Sequence, residues 1–338
     1  MTYKCLNCGG GLVFNPNTQR FQCEYCLSEF DEDQLKQMAE SDEKENPEDM
    51  LLYTCPNCGA EIVSDETTAA SYCYYCHNPI VMSGKLAGTY RPDLVIPFEM
   101  DQKQAKEVFK QWIQKKRYVP KDFYSLKQME LLEGIYYPYL LYSCQVEAQM
   151  EAEGLKCRVY RSGSVEYTET SRYQVGRGAT VHIQNITRNA LKKADHHLAE
   201  AVLPFEMEKM KPFQTAYLSG FRAERRDMER ADFENEVEEE IRNFAVESLK
   251  HSIAGYDTVS VKRHEETILD KDWKYGLLPV WVLTYKNNRD QKMYYFAMNG
   301  QNGKVCGILP VDYKRLAGLF AEIFFPLCFL FLLVGYFL

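Results

Sequence analysis

The sequence contains one long hydrophobic run, no apolar stretch near its N-terminus, and almost no net charge outside a single short segment. The single run excludes a multi-span transporter. Met1–Thr2–Tyr3–Lys4–Cys5 offers no core for a secretory signal. The residues that follow are therefore expected to face a reducing cytosol, where clustered cysteines bind metal rather than form disulfides. Net charge is −8 over 338 residues, and the ten acids set against Lys36 and Lys44 between Glu29 and Asp49 account for all of it. The remainder is neutral, so no domain reads as a general polyanion binder. Hydrophobic content of 46% and charged content of 26% exclude full disorder and collagen-like repeats.

Cysteine, by contrast, is plentiful. Eight of the 12 cysteines fall into C-x2-C pairs, and the first four recur 50 residues later: Cys5, Cys8, Cys23 and Cys26 as Cys55, Cys58, Cys73 and Cys76. Tyr3, Asn7, Gly9, Val13, Thr18 and Tyr25 recur at the same offset as Tyr53, Asn57, Gly59, Val63, Thr68 and Tyr75. Each copy reads C-x2-C-x14-C-x2-C, close to the zinc-ribbon spacing. A C-x2-C turn puts two thiolates on one rim of a tetrahedral site, and the intervening hairpin brings the second pair opposite. Four thiolates fill the shell of Zn²⁺ and leave no place for water or substrate, so two structural ions are expected. Gly9 and Gly59 allow a positive-φ turn after the second ligand. Leu27 and His77 stand at that place in the second knuckles, which predicts a less regular turn there. A thioredoxin-like redox reading lacks its βαβ context, and His77 is not needed as a ligand.

The ribbons are poor in phosphate-binding side chains. Leu51–Gly84 has no Lys or Arg, so Tyr72, Tyr74 and Tyr75 are expected to form a protein interface rather than stack on bases. Gly300–Gln301–Asn302–Gly303–Lys304 resembles a phosphate loop only briefly and reads as a hairpin turn. His264–Glu265–Glu266 lacks the second histidine of a metalloprotease motif, and Asp195–His196–His197 and the isolated Cys144, Cys157, Cys306 and Cys328 define no site. No catalytic constellation emerges, and a non-enzymatic protein is expected.

The expected order is ribbon 1 over 1–30, an acidic linker (part helix, part tether) over 31–50, ribbon 2 over 51–82, and α+β units over 83–200 and 201–313. A transmembrane tail anchor follows over 314–338. The body is read as a duplication with antiparallel sheets: Val95–Met100 matches Val202–Met207, and Gly134–Leu141 resembles Gly276–Leu283. Ala105, Val108, Phe109, Trp112 and Ile113 make one apolar helical stripe, and Phe233, Val237, Ile241, Phe244 and Leu249 mark a second helix ending near Gly255. That second helix is expected to lie on a meander of strands at Thr258–Arg263, Leu278–Tyr285, Lys292–Met298 and Lys304–Leu309. Lys103, Lys106, Lys110, Lys115, Lys116, Arg117 and Lys121 give the first helix and its extension a basic face, read as a solvated surface or a dock for the acidic tether, with contact to an anionic membrane leaflet as the alternative. Leu316–Leu338 is 23 residues, about 34 Å of helix and enough to cross a bilayer core. Lys314 and Arg315 just before it favour a cytosolic body.

Tyr53–Ala60, Ile96–Pro97–Phe98, Gly255–Val259, Leu278–Trp281 and Phe296–Gly300 together resemble a family of bacterial membrane-anchored double zinc-ribbon proteins, known as TFIIB-type zinc ribbon or primosomal protein N′-like proteins. The resemblance spans essentially the whole chain. It implies zinc on all eight ribbon cysteines and association with phage-shock-type and SPFH (flotillin-like) envelope-stress proteins at the cytoplasmic membrane. Helicase activity is not implied, because the chain has neither a P-loop nor the length for two motor domains. The expected function is a zinc-binding membrane adaptor; the alternative is a membrane-tethered nucleic-acid binder of the replication-restart type.

Overall fold

The computed structural model describes residues 3–39, 52–55, 61–63, 67–73, 79–86, 88–194, 196–287 and 290–337. It is an α+β protein whose chain forms two compact units. The first comprises Met1–Pro138, Leu191–Arg226 and Gly276–Leu338; the second comprises Tyr139–Ala190 and Asp227–Tyr275. These units are interleaved along the chain and do not follow the consecutive division at 83–200 and 201–313.

In the first unit the strand Glu133–Ser162 begins beside Arg222–Glu224, which it pairs in parallel through Ile135 and Tyr136. The last part of Thr258–Lys286 pairs in parallel with Leu94–Val95 through Gly276 and Leu277, and antiparallel with Met293–Asn299. The sheet is therefore mixed rather than antiparallel. The helix Gln102–Gln114 starts in a capping box, Asp101 accepting from the Gln104 N–H while Gln104 accepts from that of Asp101. Its stripe buries Ala105, Phe109 and Ile113. Phe109 and Trp112 pack on Phe296 at ring-centroid distances of 4.7 and 5.3 Å. The helix on the Met293–Gly307 hairpin is thus this one. The other predicted helix, Glu234–His251, belongs to the second unit.

Phe296–Gly300 ties three distant segments together. Asn299, fully buried, donates to the Val202 and Pro204 carbonyls at 3.0 and 3.1 Å and accepts from the Gln301 and Asn302 N–H groups. Gly300 donates to the Pro279 carbonyl at 2.8 Å and accepts from Glu99 at 3.0 Å, so close to Phe98 that a Cβ would come within 2.7 Å of its ring. The phosphate-loop look-alike is a structural turn.

In the second unit, strands Tyr139–Ser162 and Val165–Asn189 form a long antiparallel hairpin. The Glu234–His251 helix buries Val237, Ile241, Ala245 and Leu249, and its carboxylates are held by cations of the same unit. Arg188 binds Glu240 and lies 3.5 Å from Glu236, Lys271 binds Glu238, and Arg242 reaches Glu238 at 2.8 Å. Thr258–Lys286 is one continuous strand where two short ones were expected. The matching hexapeptides take different backbones. Val95–Met100 leaves a strand and enters the capped helix, whereas Val202–Met207 follows the helix His196–Ala201, contains a cis Leu203–Pro204 bond and ends in a single 3-10 turn.

The last helix, Tyr313–Phe337, is long and apolar enough to cross a membrane, and none of the span Tyr313–Gly335 is buried.

Candidate metal centre

The first cysteine module folds as three short antiparallel strands, Leu12–Asn15, Arg20–Cys23 and Glu29–Phe30. The Cys5, Cys8, Cys23 and Cys26 sulfurs all lie within 4.8 Å of one another, with Cys5–Cys26 at 3.5 Å and Cys8–Cys23 at 3.4 Å. A tetrahedral ion with metal–sulfur bonds of about 2.3 Å has sulfur–sulfur edges near 3.8 Å. The four thiols fit such an ion and surround it on all sides.

The two knuckles are built alike. Gly9 donates to the Cys5 carbonyl at 2.8 Å and Leu27 donates to that of Cys23 at 3.0 Å, both at positive φ, 74° and 59°. The second turn is as regular as the first even though it lacks glycine; a side chain there costs about 1 kcal/mol of backbone strain. Ser28 supplies an outer link. Its hydroxyl accepts from the Asn7 amide at 2.8 Å and lies 3.2 Å from the Cys26 sulfur. That hydroxyl, with the Ser28 N–H, pulls the Cys26 thiol down, whereas Cys8, against its backbone bond at Gly10, is pushed up by the neighbouring sulfurs.

One side of this module is fixed to the body. Phe14 and Phe21 pack on Tyr217 at 5.2 and 5.6 Å, and the Phe14 N–H donates to the Ser219 carbonyl. Tyr3 bonds Thr215, and Gln19 reaches the Phe98 carbonyl at 2.9 Å. Tyr217 donates to Glu32 at 2.8 Å, and burial together with that carboxylate pushes its phenol well up. Leu6, Tyr25 and Leu27 are exposed to 66, 74 and 67%, with the Tyr25 ring lying over the bare face of Gly10.

The second module is described in part. Two of its pairings repeat those of the first 50 residues on: Lys4↔Gly11 becomes Thr54↔Glu61, and Phe21↔Phe30 becomes Ser71↔Ile80; the hairpin of Leu12–Asn15 with Arg20–Cys23 has no counterpart among the described residues. Cys55 and Cys73 are buried; Cys58, Cys76 and the interface candidates Tyr74 and Tyr75 lie outside the described residues. Tyr72 is 40% exposed, but its hydroxyl donates to the Gly220 carbonyl, and desolvation pushes it to about 12.

A cleft of about 740 Å³ lies beside the first ribbon, lined in part by Gln19, Glu99 and Lys209. Glu99 and Glu206 hold the Lys209 ammonium at 2.9 and 2.8 Å, and no His, Cys or Ser lines the cleft. Sequence reasoning missed the docking residues Phe14, Phe21 and Tyr217, whose partners lie almost 200 positions away.

No family model and no solved structure matches the chain. The uncharacterized protein YdjG of Bacillus subtilis (strain 168) is 32% identical over 328 residues, spanning 96% of this chain and 94% of its own.

Proposed function

This chain belongs to the family of the Bacillus subtilis protein YdjG, and from that premise we propose that it is a non-enzymatic, zinc-dependent adaptor that presents a protein-binding tip at a membrane. The observation that carries this reading is the placement of Leu6, Tyr25 and Leu27. Three exposed apolar side chains stand next to ligand cysteines in a module that Phe14 and Phe21 pack onto the body. Exposed apolar groups on a rigid mount suit a protein partner, and a phosphate backbone would call for Lys and Arg instead. Zn²⁺ fits the closed set of four thiols. The repeated strand registers support a second ion on Cys55, Cys58, Cys73 and Cys76. The Tyr313–Gly335 helix serves as the anchor, and Lys314 and Arg315 support a cytosolic body. The partners are envelope-stress proteins of the SPFH (flotillin-like) or phage-shock type, as the family resemblance implies.

The test is affinity purification of full-length protein from nuclease-treated native membranes, comparing wild type with Leu6→Glu/Leu27→Glu. The variant is expected to keep its zinc and stay in the membrane while losing a stoichiometric envelope-stress partner. Undiminished recovery of that partner would remove the tip from the mechanism. Loss of every partner on nuclease treatment of the wild type would favour the nucleic-acid binder.

A further inference from the structure

The structure leaves a group of cations unanswered where the apolar helix departs from the body. The Asp312 N–H donates to the Tyr118 carbonyl at 2.7 Å, and Arg315 Nη1 lies 3.4 Å from the Arg117 carbonyl. The first turn of Tyr313–Phe337 is therefore tied to the segment that follows the Gln102–Gln114 helix. Lys115, Lys116, Arg117, Lys121 and Lys314 are all exposed around this junction. Asp312 is occupied by Arg315 at 3.5 Å, and Glu107 is engaged by Lys110 further up the helix. Among the described residues no carboxylate pairs with Lys115, Lys116, Arg117, Lys121 or Lys314. Lys116 lies 5.5 Å over the Trp112 ring, which packs on Phe296, so the platform beneath the charges is rigid.

The acidic helix Glu234–His251 shows the other way of handling a charged face. Its carboxylates meet Arg188, Lys271 and Arg242 of its own unit. Among the described residues the basic helix end has no such internal partners, and its position supplies an external one. The entry turn of a spanning helix sits at the depth of the lipid headgroups, and residues hydrogen-bonded to that turn sit within reach of them.

We propose that Lys115, Lys116, Arg117, Lys121 and Lys314 form a docking surface for anionic phospholipid headgroups, which holds the body against the membrane beside its own anchor. The proposal rests on the anchor reading above. Each basic side chain at an anionic surface adds about a fivefold preference for the docked state, so the group acts as a composition-dependent latch. On a neutral bilayer the body stays tethered but undocked.

The experiment uses the full-length protein in nanodiscs of phosphatidylcholine alone or with roughly a third phosphatidylglycerol, read by amide hydrogen exchange over 110–121. The expected result is slowing of about tenfold or more in the anionic discs only, reversed at about 0.5 M salt. The triple variant Lys115→Gln/Lys116→Gln/Arg117→Gln is expected to lose it while remaining in the disc. Equal exchange in both lipids, or protection that survives salt and the triple variant, would overturn the proposal. A chain that does not stay in either disc would overturn the anchor reading and this proposal with it; the salt arm requires no variant to fold.

Discussion

The two cysteine modules have the same ligand spacing and share two strand pairings, yet they join the protein by different physics. Ribbon 1 is attached mainly by side chains: Phe14 and Phe21 grip Tyr217 and Tyr3 bonds Thr215, with one backbone bond from the Phe14 N–H to the Ser219 carbonyl. Ribbon 2 is attached by backbone, its strand Thr68–Tyr72 pairing with Arg222–Glu224 and so extending the main sheet. At the 50-residue offset Arg20 becomes Ala70 and Phe21 becomes Ser71. Small residues suit a buried strand, and aromatic ones suit a detachable pad. Metal spacing fixes what a ribbon is internally, whereas the residues between ligands decide whether it is a component of the sheet or a mounted tool. The segment Thr215–Glu224 serves both, with Ser219 and Gly220 accepting from ribbon 1 and ribbon 2 respectively.

The largest contrast is expected from removing one ligand at a time. Structural zinc contributes on the order of 10 kcal/mol to folding its own module. Cys23→Ser is expected to raise amide exchange in residues 3–30 and at Thr215–Ser219. Cys73→Ser is expected to carry the loss into Arg222–Glu224 and the start of Glu133–Ser162. Equal spread in the two variants would erase the distinction. Next comes Tyr217→Ala, expected to cost about 3–4 kcal/mol and to release ribbon 1 with its metal still bound. Limited proteolysis of ribbon 1 alongside unchanged zinc content checks it.

Glu224→Gln probes the other attachment. Glu224 is 4% exposed, accepts the Thr67 hydroxyl at 2.8 Å and meets Lys193 at 2.9 Å. Lys193 remains partly in water, so the expected cost is about 1–2 kcal/mol, with faster exchange confined to Thr68–Val81. The smallest effect has the opposite sign. Leu27→Gly removes the positive-φ strain and is expected to stabilise metal-loaded ribbon 1 by about 0.5–1 kcal/mol, read as a higher chelator midpoint. The same change takes an apolar side chain from the tip, so partner binding is expected to weaken as stability rises.

Much of this was legible from the chain alone. The cysteine arithmetic located the first cluster of four thiols able to hold a metal ion, the 3.6-residue periodicity at Ala105–Ile113 marked a helix, and the terminal run marked the apolar span. The continuity of Thr258–Lys286 was not legible, because its middle stretch alternates charges of both signs on a strand open to solvent. The exchange of helix partners was not legible either: a stripe says that a helix buries one face, not which sheet receives it. Asn299 looked like a turn residue, and its two bonds to Val202 and Pro204 are long-range facts that no local pattern contains.

The core around Phe98 has a consequence for how the protein is made. Phe98 stacks on Phe221 at 4.1 Å, meets the Trp281 ring at 5.2 Å and fits against Gly300. A nascent chain emerging N-terminus first reaches Phe98 long before any of these partners exists, and Gly300 arrives shortly before the apolar helix that starts at Tyr313. The first unit therefore cannot close during most of its own translation. Its aromatic residues have to be kept soluble until Gly300 has been made, when folding of the body and emergence of the apolar helix become competing events.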